Sequence, residues 1–289
     1  MRLGILKEKL VRNFCLKTWK LWEYLGVHLV PNHFYWPIGD TRKLEEFDFD
    51  KKFPMDGVNI DLELSREIVE RIGSYRDEYE PIHVNCGYAS NGDGSILYGM
   101  IRDLKPRKVI EVGSGYSTTI IEHAMKKNNC GKIVSIEPYP KPVLRDIVST
   151  SANVELIESK VENVDQKIFQ DLGEGDVLFI DSSHVVDIGN DVHYLYLHLL
   201  PKIPVGTIIH IHDIRYPYEY PREWVLGAKK FWAEQYLLHM FLAFNDSFEV
   251  LFASNYYFQN HKEDLVSACV GLDINSDGWP GSFWLRRCK

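Results

Sequence analysis

From about residue 97 onward, short apolar runs alternate with longer stretches in which apolar residues recur every three or four positions. The short runs are 109–112, 133–136, 154–157, 177–180, 207–211, 248–253 and 282–286. Most are rich in β-branched residues and several are bounded by glycine, proline or charge, the pattern of strands buried on both faces. Between them, sets such as Ile120, Ile121, Ala124 and Met125 share one face of a helix. The alternation predicts an α/β fold, a doubly wound sheet of seven strands. Upstream, Leu62, Leu64, Ile68, Val69 and Ile72 predict an amphipathic helix over 61–76. The first 27 residues interleave Arg2, Lys7, Lys9, Arg12, Lys17 and Lys20 with Leu6, Leu10, Phe14, Leu21, Trp22 and Leu25, which predicts a basic amphipathic helix. An aromatic and proline-rich stretch over 31–40 and a charged loop over 43–52 follow it. These changes divide the chain into an N-terminal helical arm and cap over 1–80 and a sheet domain over 81–289.

A chain of 289 residues with 45% apolar content buries one large core with an appendage. Its net charge of −8 argues against a nonspecific nucleic-acid partner, which needs concentrated Lys and Arg. Cys15, Cys86, Cys130, Cys269 and Cys288 are odd in number and scattered, without a CxxC pair. Neither a zinc knuckle nor a disulfide scaffold is expected, and a reducing, cytoplasmic setting is the default. No apolar run has the length of a transmembrane segment. The basic N-terminal helix suits peripheral contact with an anionic membrane, but packing on its own domain or in a homodimer is the simpler expectation.

The richest stretch runs from Arg107 through Val109, Ile110, Glu111 and Val112 into Gly113-Ser114-Gly115-Tyr116-Ser117-Thr118. It reads as a strand, a glycine turn and a helix start, where a ligand can lie against backbone that carries no Cβ. Some twenty residues on, the run ending at Ile136 leads into Glu137, an acid placed to accept hydrogen bonds from two ribose hydroxyls. Together these specify a nucleoside. The third glycine of a dinucleotide loop is replaced by Thr118, and no Lys-Ser/Thr pair marks a triphosphate loop. Glu111, an acid in an apolar strand, suits a cation better than a pyrophosphate. S-adenosylmethionine, which carries an ammonium and no phosphate, fits that demand.

With these motifs, and with Ile136-Glu137-Pro138-Tyr139-Pro140, Phe179-Ile180-Asp181-Ser182-Ser183-His184 and His210-Ile211-His212-Asp213-Ile214, the chain resembles the class I S-adenosylmethionine-dependent methyltransferases. Within them it is most similar to a bacterial subgroup of small-molecule and saccharide-type enzymes. The resemblance implies a Rossmann-like sheet of order 3-2-1-4-5-7-6 with an antiparallel seventh strand. It also implies a cofactor site of Glu111, Gly113, Ser114, Gly115, Ser117, Glu137, Pro138, Asp181 and Ser182, with Ser159 and Val161 near adenine.

Ligands of such sheets gather outside the carboxyl ends of the strands. That rule brings Asp181, His184, His212 and Asp213 into one region, and four ionisable groups there point to chemistry. Two schemes fit. His184 or His212 could act as general base beside Asp181, or Asp181, His212 and Asp213 could hold a divalent metal that acidifies an acceptor hydroxyl. Catechol-type O-methyltransferases, as a resemblance, place an acid after the fourth strand and an Asp-Asn pair after the fifth. Here the pair is His212-Asp213, which suits a softer metal than magnesium. His33, Tyr35 and Trp36, and Tyr216, Tyr218, Glu219 and Tyr220, offer flat surfaces with polar tips for a sugar or polar ring, while Asn85, Asp93 and Tyr98 could close over the cofactor. The expected activity is O-methylation of a small polar or saccharide-like acceptor. The alternatives are a metal-dependent hydrolase using the His-x-His-Asp cluster and a cofactor-binding subunit without turnover.

Overall fold

Seven strands form one sheet: β1 (Lys108–Val112), β2 (Lys132–Ile136), β3 (Val154–Ile157), β4 (Val177–Ile180), β5 (Ile208–Ile211), β6 (Phe248–Ala253) and β7 (Phe283–Arg287). Their order is β3-β2-β1-β4-β5-β7-β6, with β7 antiparallel to both neighbours and the other pairings parallel. This is the doubly wound, Rossmann-like methyltransferase sheet that the alternation and the resemblance predict. The computed structural model describes residues 2–81, 88, 92–276 and 280–289, with only the backbone for residues 2–8. Asn85 and Cys86 lie outside the described residues.

The apolar runs form strands because both faces of the sheet are covered. Ile110, Leu178 and Ile209 enter one core, and their neighbours Val109, Val177 and Ile208 enter the other. In-register pairing stacks like with like, for example Val109 beside Val177 and Ile133. Truncating a residue such as the fully buried Phe179 to Ala would cost about 3–5 kcal/mol. One face is covered by helices α3 (Leu62–Gly73), α4 (Asp93–Leu104) and α5 (Tyr116–Asn128). Asp61 caps α3 by accepting from the backbone N–H groups of Glu63 and Leu64. Helix α6 (Glu234–Leu242) contributes Leu238 and Leu242 to the opposite core.

The chain forms two compact units: Met1–Phe49 with Pro221–Phe231, and Asp50–Tyr220 with Trp232–Lys289. The division differs from the expected one at residue 80. Helix α3 packs tightly on α4, since a Cβ on Gly99 would come within 2.7 Å of Ile72 Cβ, and so the segment from Asp50 goes with the sheet. The first unit contains α1 (Arg2–Lys17) and α2 (Trp19–Tyr24). Their backbone runs nearly unbroken through Thr18, whose N–H donates to Phe14 O and whose carbonyl accepts from Trp22 N–H. No helix among the described residues is long and apolar enough to cross a membrane.

Candidate functional site

The turn after β1 is built on Gly113. Its φ is +80°, and a Cβ there would lie 1.9 Å from the Asp181 carbonyl oxygen. Gly113 N–H donates to Ile136 O at 3.1 Å, and Asp181 N–H donates to Val112 O at 2.8 Å, so the ends of β1, β2 and β4 close around this residue. The expected reason for the glycine is therefore corrected: the added carbon would strike protein backbone, not the space of a ligand. Gly115 has extended backbone and open space beside its Cβ direction.

Glu111 is fully buried beneath the turn. It accepts from Ser117 Oγ at 2.6 Å, Thr118 Oγ1 at 2.6 Å and Ser135 Oγ at 3.1 Å. Burial pushes its pKa up to about 7, against the opposing pull of these hydroxyls. The expected role, holding a ligand's cation, does not match this geometry, because both carboxylate oxygens are engaged from inside the fold. Glu111 and Ser117 instead fix the start of α5. Glu137, at the end of β2, spans two loops: Oε1 accepts from Tyr139 N–H at 2.8 Å and Oε2 from Ser114 N–H at 3.3 Å. Each oxygen keeps a second lone pair for a hydroxyl.

Beside these loops lies a cavity of about 640 Å³ whose wall includes Gly113, Glu137, Pro138, Val161, Asp181 and Ser182. Glu111, Ser114, Gly115, Ser117 and Ser159 are not part of that wall. The Ser159 hydroxyl is turned away, donating to Lys160 O at 3.1 Å. The wall also includes Tyr139 and the loop from Val185 to Asp191, which the sequence did not single out. Asp191 ties this loop back by accepting from Ser183 N–H at 2.7 Å and Ser183 Oγ at 2.6 Å.

Asp181, His184, His212 and Asp213 meet at the ends of β4 and β5. His184 and Asp213 both have left-handed backbone, with φ of 59° and 57°, an uncommon conformation for such residues that often marks functional turns. His184 Nε2 lies 3.4 Å from Asp181 Oδ1 and 3.5 Å from Asp213 Oδ2, while its Nδ1 is 2.8 Å from Glu234 Oε2. One ligand atom from each of Asp181, His184 and Asp213 falls within 4.8 Å of the others. His212 does not join that group as expected. Its Nε2 is 3.6 Å from Asp213 Oδ1, and its ring stacks on Tyr88 at 4.7 Å. Strand alternation places His212 on the same side as the buried His210, whose ring centroid is 5.7 Å away, whereas the left-handed turn carries His184 to the acids.

Burial alone would lower the His184 pKa, but the hydrogen bonds to Asp181 and Glu234 and the nearby Asp213 carry it to about 10. His212 is also raised: burial opposes the change, and Asp213, Asp181 and Asp93 outweigh it. Burial works against ionised Asp181, yet His212 and His184 bring its pKa down to about 2. His210 goes the other way, held neutral by burial. The cluster is thus a negatively charged pocket that stabilises positive charge on His184. Glu234 and Tyr88, which donates to Asp181 Oδ2 at 3.1 Å, belong to it and were missed. Glu234 approaches from the first turn of α6, where no local signal marks it, and also accepts from Ser182 Oγ at 2.7 Å.

The expected acceptor residues separate. Tyr216 is a core residue, 2% exposed, with its hydroxyl 2.9 Å from His239 Nδ1, and Phe283 and Phe53 pack on its ring; this replaces its expected place in an acceptor pocket. Tyr218 is half-buried beneath Lys52. His33 and Tyr35 belong to the first compact unit, where they line a cavity of about 200 Å³ with Arg12, Pro31 and Trp36. Asp93 and Tyr98 are also corrected. Asp93 is fully buried and accepts from Gly281 N–H and Ser282 Oγ, and the buried Tyr98 hydroxyl donates to Glu78.

A family model described as Methyltransferase domain matches residues 110–214, from within β1 to just beyond β5. An uncharacterized protein of Archaeoglobus fulgidus is 33% identical over 168 residues, which span 52% of this chain and 76% of that protein. Among solved structures, the O-methyltransferase TomG from Streptomyces achromogenes, involved in tomaymycin synthesis and solved with S-adenosylmethionine, aligns with a TM-score of 0.43. It is 14% identical over 80% of this chain and 92% of its own. The plantazolicin methyltransferase BamL, solved with a desmethylPZN analog and S-adenosylhomocysteine, aligns with a TM-score of 0.45. There the identity is 16%, over 79% of this chain and 100% of the other.

Proposed function

Because the chain belongs to the class I S-adenosylmethionine-dependent methyltransferases, by its methyltransferase-domain match and its sheet order, we propose that it methylates an oxygen of a small polar or saccharide-like acceptor with help from a divalent cation. Asp181, His184 and Asp213 would hold that cation. The observation that carries this reading is the convergence of their ligand atoms within 4.8 Å, with His184 anchored through Nδ1 on Glu234. A cation bound there would displace the Nε2 proton that the two acids otherwise stabilise, and a histidine that ligates through one nitrogen and donates from the other to a carboxylate has its tautomer and ring direction fixed. Two carboxylates and one imidazole suit an oxygen-preferring divalent ion that also accepts a nitrogen ligand, such as Mn²⁺. Bound there, the cation would supply Lewis acidity to an acceptor hydroxyl.

For the cofactor, the fit rests on the turn at Gly113 and on Glu137. The Glu137 carboxylate is oriented by two backbone N–H groups and faces the cavity with lone pairs suited to the two ribose hydroxyls. Val161 gives that wall an apolar surface for a base. Asp181 lines the cavity and also belongs to the acid–imidazole cluster, so it joins the cofactor space to the groups that would meet the acceptor. The sulfonium is already a good leaving group, so the residues need only align the acceptor and favour loss of its proton.

Calorimetric titration of chelator-treated protein with Mn²⁺ tests the cation reading. One saturable site per chain is expected, lost in Asp213→Asn while S-adenosylhomocysteine still binds. Wild-type protein without saturable Mn²⁺ uptake, or full methyl transfer after exhaustive chelation, would overturn it and leave the family assignment intact. The acceptor class is read by transfer of labelled methyl groups to hydroxyl-bearing sugars and phenols.

A further inference from the structure

Leu10, Phe14, Leu21 and Leu25 recur along α1, α2 and the residue that ends α2 at spacings of four and seven residues. At 100° per residue these positions fall within a sector of about 60° on a continuous helix. Their side chains are 61%, 55%, 55% and 57% exposed, whereas Cys15, on another side of the same helix, is 5% exposed. The arm therefore packs one side and turns an apolar stripe outward. Scattered exposed leucines need no explanation, but an ordered stripe on a helix does.

The charge around the stripe narrows what covers it. Residues 9–29 carry Lys9, Arg12, Lys17 and Lys20 against one acid, Glu23, although the whole chain has a net charge of −8. Lys17 lies at the edge of the stripe, where its long stem can rest on apolar material while the amine reaches outward. Tyr24, 87% exposed, adds a ring with a polar edge beside the stripe, whereas the half-buried Trp19 and Trp22 lie toward the packed side with Cys15. An apolar stripe bordered by cations and an exposed tyrosine is the pattern of a helix lying in the plane of a membrane surface. A two-fold pairing of stripe on stripe would set the same cations of two copies against one another.

We propose that this stripe docks on an anionic lipid surface, with the leucines and Phe14 among the acyl chains and the lysines at the headgroups. Attraction of this kind is screened by salt and scales with the number of basic residues near the surface.

Cosedimentation of the full chain with vesicles of equal parts phosphatidylglycerol and phosphatidylcholine tests this. The protein should pellet with those vesicles, stay in solution with pure phosphatidylcholine, and be released by salt. Phe14→Glu with Leu21→Glu should weaken pelleting at least about tenfold, and so should Lys17→Glu with Lys20→Glu. These side chains are exposed, so melting temperature and S-adenosylhomocysteine affinity should stay at wild-type values and report that the fold is intact. Failure of the wild type to pellet with anionic vesicles at low salt would overturn the proposal, as would equal binding to neutral ones. A dimer in light scattering that Phe14→Glu with Leu21→Glu dissociates, without vesicle binding, would assign the stripe to a second copy instead.

Discussion

Replacing Glu111 by Gln isolates the electrostatic cost of a carboxyl buried beneath the glycine turn. In the folded chain its pKa is raised to about 7 from an ordinary 4.5, with burial as the largest cause. A group that binds its proton more tightly when folded contributes stability that is complete below its unfolded pKa and is lost as pH rises through the folded one. For Glu111 that window runs from about pH 4.5 to just above 7. At roughly 1.4 kcal/mol per pH unit, the interval corresponds to about 3 kcal/mol. The glutamine side chain would keep the shape and stay neutral. Its carbonyl can accept from two of the three hydroxyls that now reach Glu111, and its amide can donate to the remaining hydroxyl oxygen. Urea denaturation at half-unit steps from pH 4.5 to 8 measures the effect as a difference between the two proteins, which cancels the titration of distant groups. Between the ends of that range the wild type should lose about 3 kcal/mol more than Glu111→Gln. Parallel profiles for the two proteins would refute the reasoning and show that the hydroxyls hold the ionised carboxylate without penalty.

Gly113→Ala forces a Cβ against the Asp181 carbonyl in a left-handed turn. It should cost about 3 kcal/mol or more in thermal denaturation and weaken S-adenosylhomocysteine binding; a variant as stable as wild type would contradict the closure of β1 on β4. Glu234→Ala leaves His184 Nδ1 without its carboxylate. It should weaken Mn²⁺ binding about 10- to 100-fold, with partial recovery in Glu234→Gln, and unchanged affinity would remove Glu234 from a positioning role. Tyr216→Phe removes a core hydroxyl beside His239. A loss of about 1 kcal/mol in urea stability with an unaltered acceptor KM is expected, and a raised KM alone would return Tyr216 to the acceptor site.

The strands were legible because both sheet faces are covered, so an apolar run needs no alternation to declare itself. The boundaries shifted by single residues where long-range pairing decides them. Lys108 joins β1 through its register with Lys132 and its N–H bond to Asp176, neither of which a local window contains. Helix α3 stops at Gly73 because Arg76–Glu78 form a separate turn. At the site, Asp181 and Asp213 were legible as acids at strand ends. The surroundings of Glu111 were not, since Ser135 reaches it through the pairing of β1 with β2. His184 was placed in the right region, but the choice between it and His212 depended on two left-handed turns that no residue pattern announces. Glu234 lies fifty positions from the histidine it orients. Tyr216 shows the opposite failure: an aromatic residue beside a strand end suggested a ligand surface, and packing took it into the core.

Isothermal titration calorimetry with S-adenosylhomocysteine tests the central claim most directly, because the Gly113 turn and Glu137 are assigned to one adenosyl ligand. The account predicts one site per chain in the micromolar range, roughly −8 kcal/mol, weakened by on the order of 1–3 kcal/mol in Glu137→Ala through loss of charge-assisted hydrogen bonds. Wild-type protein that binds no adenosyl ligand, or prefers NAD to S-adenosylhomocysteine, would contradict it.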